Sequence, residues 1–185
     1  MSRPRANLRL FVAIYPPLEL SAELVRSLES HDLPEHRTVP AEQMHMTLHF
    51  IGDTPAKQLD ATIESVQRAT AGISAFDLTV QRLITLGHRG SARLVAAETD
   101  RLPELLEIQR RLVTRLARSP RRNSADRFRP HLTLCRFKKP TKGIVLDSSL
   151  DTEPFRVQQV VLMKSTLRSD GAQHHEIISC ALSFG

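Results

Sequence analysis

The sequence lacks several things that many functions need. It has no tryptophan, one tyrosine and seven phenylalanines in 185 residues, so it cannot build a broad surface of stacking rings. Its two cysteines, Cys135 and Cys180, cannot form a disulfide framework, and reduced thiols in the cytoplasm are expected. No apolar run reaches the roughly 18 residues that a membrane span needs. The N-terminal stretch MSRPRANLRLFVAI has only a short apolar patch, which reads as a strand and not as the core of a signal peptide. A glycine-rich phosphate loop and a serine nucleophile elbow are both missing. Acid is also short: 20 Asp and Glu against 26 Lys and Arg give a net charge of +6 and a pI near 10.0. That balance favours polyanions as partners, nucleic acid above all, although charge alone would equally serve solubility.

The hydrophobic residues, 41% of the chain, are distributed in readable patterns. Residues 8–14 (LRLFVAI) form a strand ended by Pro16 and Pro17. Residues 18–28 have helical spacing, and residues 32–40 read as a loop. Residues 44–51 (MHMTLHFI) form a strand. Thr54 and Pro55 look like the cap and first position of a helix running to about Thr70. Residues 75–86 alternate as one strand, GHRG is a turn, and residues 92–99 are a strand. A helix spans residues 102–117, with Asp100 as its candidate cap, and residues 118–130 are an exposed loop. Residues 131–137 form the next strand. Residues 138–154 read as a loop with one short strand. Two final strands, 155–165 and 174–184, are joined through Gly171 as a hairpin.

One word is written twice. His45-Met46-Thr47-Leu48 recurs as His131-Leu132-Thr133-Leu134, 86 positions later. Each copy follows a strand, a helix and a loop. RLFVAI begins at Arg9 and RLVAAE begins at Arg93, 84 positions apart. A duplicated β-α-β unit accounts for this better than chance. The expected fold is α+β and bilobal: one domain over 1–185 with two pseudo-twofold-related antiparallel sheets, helices on their outer faces and a cleft between the lobes.

On a strand, alternate side chains share a face and residues two apart lie about 6.6 Å apart. His45 and Thr47 then share one face, as do His131 and Thr133. Met44, Met46, Leu48 and Phe50 point to the core, as do Leu132 and Leu134. Two imidazoles and two hydroxyls converging on one phosphoryl group suit displacement at phosphorus. One neutral imidazole accepts a proton from water, and one protonated imidazole gives a proton to the departing oxygen. The threonine hydroxyls donate to the non-bridging oxygens. No metal or other cofactor is required.

Other candidates are weaker. His49 should share the cleft face with His45, and Cys135 should share that of His131 as a filler thiol. His174 and His175 are adjacent on a strand and so point apart, which is no metal arrangement. From residues 115 to 139 there are nine Lys or Arg and one acid, Asp126. This run wraps the second word and could hold phosphate.

The paired words, with LRLFVAI, HMTLHFIGD, FRPHLTLCR and VVLMKSTL before a glycine, resemble the 2H phosphoesterase superfamily. Within it the chain is most similar to the RNA 2′,3′-cyclic phosphodiesterase, or 2′–5′ RNA ligase, family. The resemblance implies hydrolysis of RNA 2′,3′-cyclic phosphate ends to 2′-phosphates in a cleft between lobes. It implies His45 as proton donor to the leaving 3′ oxygen and His131 as the base for water. Thr47 and Thr133 would hold phosphate. Arg129, in FRPH, would serve the phosphate or chain end, and Phe11 would flank a base or pack in the core. Two departures stand out: members of the family often have an aromatic residue at the place of Thr38 and Tyr near that of His175. With few rings available, reading of the phosphate and chain end is expected over reading of base sequence. Ligation of RNA halves through a 2′–5′ bond and a non-catalytic basic RNA-binding module are the alternatives. The partner is RNA or an oligonucleotide with a cyclic phosphate end, without membrane, and the protein is expected to be a monomer.

Overall fold

A computed structural model describes residues 7–116, 128–168 and 171–183. The loop expected at 118–130 lies largely outside the described residues, as do the end of the helix at Ala117 and the turn of the last hairpin.

The first sheet contains β1 (Asn7–Ile14), β3 (Met46–Pro55), β10 (Gln159–Arg168) and β11 (Gly171–Ala181), in the order β11-β10-β1-β3. The second contains β2 (His36–Thr38), β5 (Val80–His88), β6 (Ser91–Thr99), β7 (His131–Lys142) and β8 (Asp147–Ser149), in the order β2-β7-β6-β5-β8. The short strands β4 (Phe76–Leu78) and β9 (Phe155–Val157) pair with each other. Every ladder within these sheets is antiparallel. The expected duplication is visible: β1 pairs with β3 after one helix, and β6 pairs with β7 after another.

The helices are α1 (Leu18–Ser27), α2 (Leu59–Thr70) and α3 (Pro103–Leu116). In α1, Leu20 and Leu24, followed by Leu28, are buried at the four-residue spacing of one helix face. In α3, Leu105, Ile108 and Leu112 are fully buried. α2 packs on α3 and against β10 and β11, while α3 also meets β3. One apolar cluster joins Leu10, Val12 and Ile14 of the first sheet, Val95, Leu132 and Leu134 of the second, and the helices.

Several expected boundaries move. Thr54 does not cap a helix: it continues β3 opposite Leu8, is buried, and donates its hydroxyl to the Gly52 carbonyl at 3.1 Å. A 3-10 turn at Ala56–Gln58 intervenes before α2. The single strand expected at 75–86 breaks at Thr79, whose N–H donates to Asp100 Oδ1 at 3.0 Å. Asp100 is therefore a clamp on Thr79 and not a helix cap. The strand expected at 155–165 likewise divides into β9 and β10. Residues 36–38 of the expected loop form β2, and the strand expected at 131–137 extends to Lys142.

The GHRG turn is a two-residue hairpin, with Arg89 at φ 51° and Gly90 at φ 73°. Positive φ at both central residues matches the twist of the flanking strands. Before it, a Cβ on Gly87 would lie 1.9 Å from the Ser91 carbonyl oxygen. Glycine is the residue that lets the strands meet there.

Candidate active site

The two repeated words fold alike. In the first, Ala13 pairs with Thr47 and Val12 pairs with His49, so Leu48 has no opposite residue. In the second, Ala96 pairs with Thr133 and Val95 pairs with Cys135, so Leu134 has none. Each is a β-bulge, in which one extra residue resets the alternation of the strand. Both bulged leucines are buried, at 3% and 0% exposure.

This reset overturns three expectations at once. Phe50 leaves the core and lines the cleft, with 52% of its surface exposed. His49, opposite the buried Val12, is not among the residues lining the cleft. Cys135 is fully buried in the core and no longer shares the face of His131. In its place Arg136 turns into the cleft. Phe50 and Arg136 hold the same position in the two words, three residues after the threonine.

The cleft has a volume of about 390 Å³ and is lined by His45, Thr47, His131 and Thr133 together. The four expected site residues therefore meet in one place. β3 and β7 approach each other there. A short segment ties the words together: Thr38 of β2 pairs with Cys135, and the Val39 N–H donates to the Leu134 carbonyl at 2.7 Å. Seven residues on from Thr38, the chain reaches His45. Thr38 itself lines the cleft.

Each imidazole is oriented by its own chain. His45 Nδ1 is 2.7 Å from the Gln43 carbonyl, and His131 Nδ1 is 2.7 Å from the Arg129 carbonyl. A carbonyl only accepts, so the proton of each neutral ring sits on Nδ1. Nε2 is left as the basic atom available to the cleft in both. His36 makes the same bond to Pro34 outside the cleft. The bond therefore orients a ring, and the shared cleft makes a pair of them.

Burial, first of all, pushes the His45 pKa from 6.5 down to about 4, and the charges of His174, Arg136 and His131 push in the same direction. The bond to Gln43 opposes them. His131 is also lowered, chiefly by burial and then by Arg136 and Arg129, while Glu98 opposes. Both rings are thus neutral at pH 7. His45 is packed by Phe11 at 5.0 Å, Tyr15 at 5.4 Å and His174 at 5.0 Å between ring centroids.

Arg129 does not serve the cleft through its guanidinium. That group is paired with Glu98, which also accepts from Arg82 Nε at 2.7 Å. Its backbone carbonyl orients His131 instead. Phe11 lies on the cleft face, 4% exposed, as a wall against which His45 and His174 rest. The cations that line the cleft are Arg9, two residues before Phe11 on the same face of β1, with Arg37 of β2 and Arg136 of β7. The basic run around the second word was the only signal for Arg136. Of the adjacent pair on β11, His174 lines the cleft and His175 does not. Among the described residues no group of three or more His, Cys, Asp or Glu is arranged to hold a metal ion, and no helix is long and apolar enough to cross a membrane.

Neutral imidazoles paired across a small cationic cleft, with hydroxyls beside each, can hold a phosphoryl group and exchange protons on either side of it. Comparison with known proteins leads to the same chemistry. The family model for the 2′-5′ RNA ligase superfamily matches residues 16–168. An RNA 2′,3′-cyclic phosphodiesterase of Thermotoga maritima is 28% identical over 153 residues, covering 80% of each chain. One of Escherichia coli strain K12 is 30% identical over 145 residues, covering 74% of each. The crystal structure of Escherichia coli LigT with 3′-AMP superposes with a TM-score of 0.80 at 23% identity, over 96% of this chain and 99% of that one.

Proposed function

The chain belongs to the 2′-5′ RNA ligase superfamily, and from that premise we propose that it hydrolyses RNA 2′,3′-cyclic phosphate ends to 2′-phosphomonoesters. The observation that carries this reading is the matched pair of imidazoles. Both have Nδ1 bonded to the carbonyl two residues back, and both line one cleft. In the reaction, a water oxygen bonds to phosphorus as the bond from phosphorus to the 3′ oxygen breaks. His131 Nε2 accepts the proton of the attacking water. His45, protonated on Nε2 once the anionic substrate is bound, gives that proton to the 3′ oxygen. Thr47 and Thr133 donate to the non-bridging oxygens, and Arg136 supplies positive charge where negative charge grows. No step requires a metal.

The test uses an oligoribonucleotide with a 2′,3′-cyclic phosphate end, with and without a chelator. The expected product is a terminal 2′-phosphate at an unchanged rate in chelator. Each of His45→Ala and His131→Ala should reduce turnover by at least about 10²-fold, the lower range for one positioned proton transfer. Full activity in either variant, or dependence on added metal, would overturn the mechanism. A lengthened strand in place of the 2′-phosphate would assign ligation instead.

A further inference from the structure

His174 stands in the cleft and takes no part in either proton transfer. It lies on β11 opposite Ser165 of β10, and both residues line the cleft. Its ring meets Phe11 at 4.9 Å and His45 at 5.0 Å, edge to face in both cases. Its Nδ1 is sealed from solvent and has no hydrogen-bond partner among the described residues.

The sealed nitrogen limits the protonation state. An imidazolium has N–H on both nitrogens, so it would bury a charged donor with no acceptor. A neutral ring with its proton on Nδ1 would orphan the same donor. A neutral ring with its proton on Nε2 leaves only a lone pair at the sealed edge, and this costs least because orphaned acceptors are tolerated better than orphaned donors. Nε2 is then the one polar atom of this side chain that can face the cleft. The surroundings agree. His45 stands 5.0 Å away, His175 is beside it on the strand, and among the described residues no carboxylate lines the cleft to support a cation. Glu176, two residues along, is exposed. Burial first, and then the charge of His175, hold the His174 pKa below its ordinary value.

We propose that His174 is a neutral hydrogen-bond donor, through Nε2–H, to a non-bridging oxygen of the phosphoryl group bound between His45 and His131. The assignment rests on the reading of the cleft as a phosphate-ester site. An uncharged donor suits this position. A further cation at 5.0 Å from His45 would make protonation of that ring harder still, whereas a neutral N–H holds the phosphate without this penalty.

The experiment measures binding of inorganic phosphate to the full chain by calorimetry near neutral pH, alongside turnover of the cyclic-ended oligonucleotide. A glutamine amide reaches the place of imidazole Nε2, while an asparagine amide reaches that of Nδ1. His174→Phe keeps the ring packing and removes the donor. His174→Phe and His174→Asn should each weaken phosphate binding about tenfold, the range for a donor to a charged acceptor. His174→Gln should stay within about threefold of the wild type on the same basis. Imidazole ¹⁵N spectra should show the His174 proton on Nε2. Wild-type phosphate affinity in His174→Phe, or a proton on Nδ1, overturns the assignment while leaving the phosphodiesterase reading intact. Absence of both phosphate binding and turnover in the wild type overturns both.

Discussion

A general acid must carry a proton, yet burial above all holds the His45 pKa down at about 4. The proposed mechanism therefore requires the bound anion to raise it. The magnitude can be worked out. A unit negative charge about 4 Å from the ring, at an effective dielectric near 20, stabilises the imidazolium by about 4 kcal/mol. At about 1.4 kcal/mol for each pKa unit this is roughly three units, which brings His45 from about 4 to roughly 7. Sulfate is the cleaner probe, since its charge is constant over this range. Imidazole ¹H–¹⁵N spectra recorded across pH, with and without saturating sulfate, a dianion, should show the His45 transition moving upward by at least about that amount. Linkage gives a second reading of the same effect. The complex binds more protons than the free protein between the two pKa values, so affinity for sulfate rises as pH falls, by up to about tenfold per pH unit. His131→Gln removes the other titrating ring and isolates His45. A His45 transition that stays near pH 4 under saturating sulfate would refute its role as the acid.

Other outcomes follow from the same geometry. Arg136→Ala should weaken sulfate binding and turnover by about 10-fold or more and raise the pKa of both cleft histidines, because a charge-assisted contact is lost. Arg129→Ala should cost less than about threefold in turnover, because its guanidinium is held by Glu98 and only its carbonyl is used. Equal losses by kinetics in the two variants would refute that division. Thr47→Val and Thr133→Val should each lower kcat by about 3- to 30-fold, roughly one hydrogen bond, with the fold unchanged by circular dichroism. Stability should also depend on pH. The lowered pKa of His45 means the unfolded chain binds more protons between pH 6.5 and about 4, so stability falls as pH drops through that window, by up to roughly 3 kcal/mol. In His45→Gln, denaturant midpoints should lose that part of the slope; an unaltered slope would count against the burial of the ring.

Much of the site was legible because duplication is a long-range signal that survives ignorance of the fold. The words at His45 and His131 identified the pair, and the apolar residues beside them marked the core face. The misplaced faces of the two strands share one local reason. Alternation assumes a regular strand, and an extra leucine in each word breaks it. Alternation therefore puts His49 and Cys135 on the cleft and Phe50 in the core, and it leaves Arg136 marked only by the basic run around the second word. The misplaced helix start at Thr54 has a different cause. The Thr-Pro pair has the chemistry of a cap, but pairing with Leu8 holds the chain extended for those residues, and tertiary pairing outweighs a local preference of this size.

The repeated bulge also explains how a near-symmetric pair can perform unlike tasks. A strand of period two would place His, Thr and the fourth residue on from His in the cleft. The bulge substitutes the fifth, and there the copies differ: Phe50 in one, Arg136 in the other. Beyond the words, the neighbours differ more. Arg136 disfavours a proton on either ring, but His131 also has Glu98 favouring its protonated form, and no carboxylate among the described residues does this for His45. In the proposed mechanism the forward reaction leaves a proton on His131, the ring with Glu98 near it, and takes one from His45. Once product departs, His131 gives that proton up to solvent, since burial lowers the pKa of both rings. On that proposal the next substrate must bring the charge that restores a proton to His45, and the anion to be consumed would itself switch catalysis on.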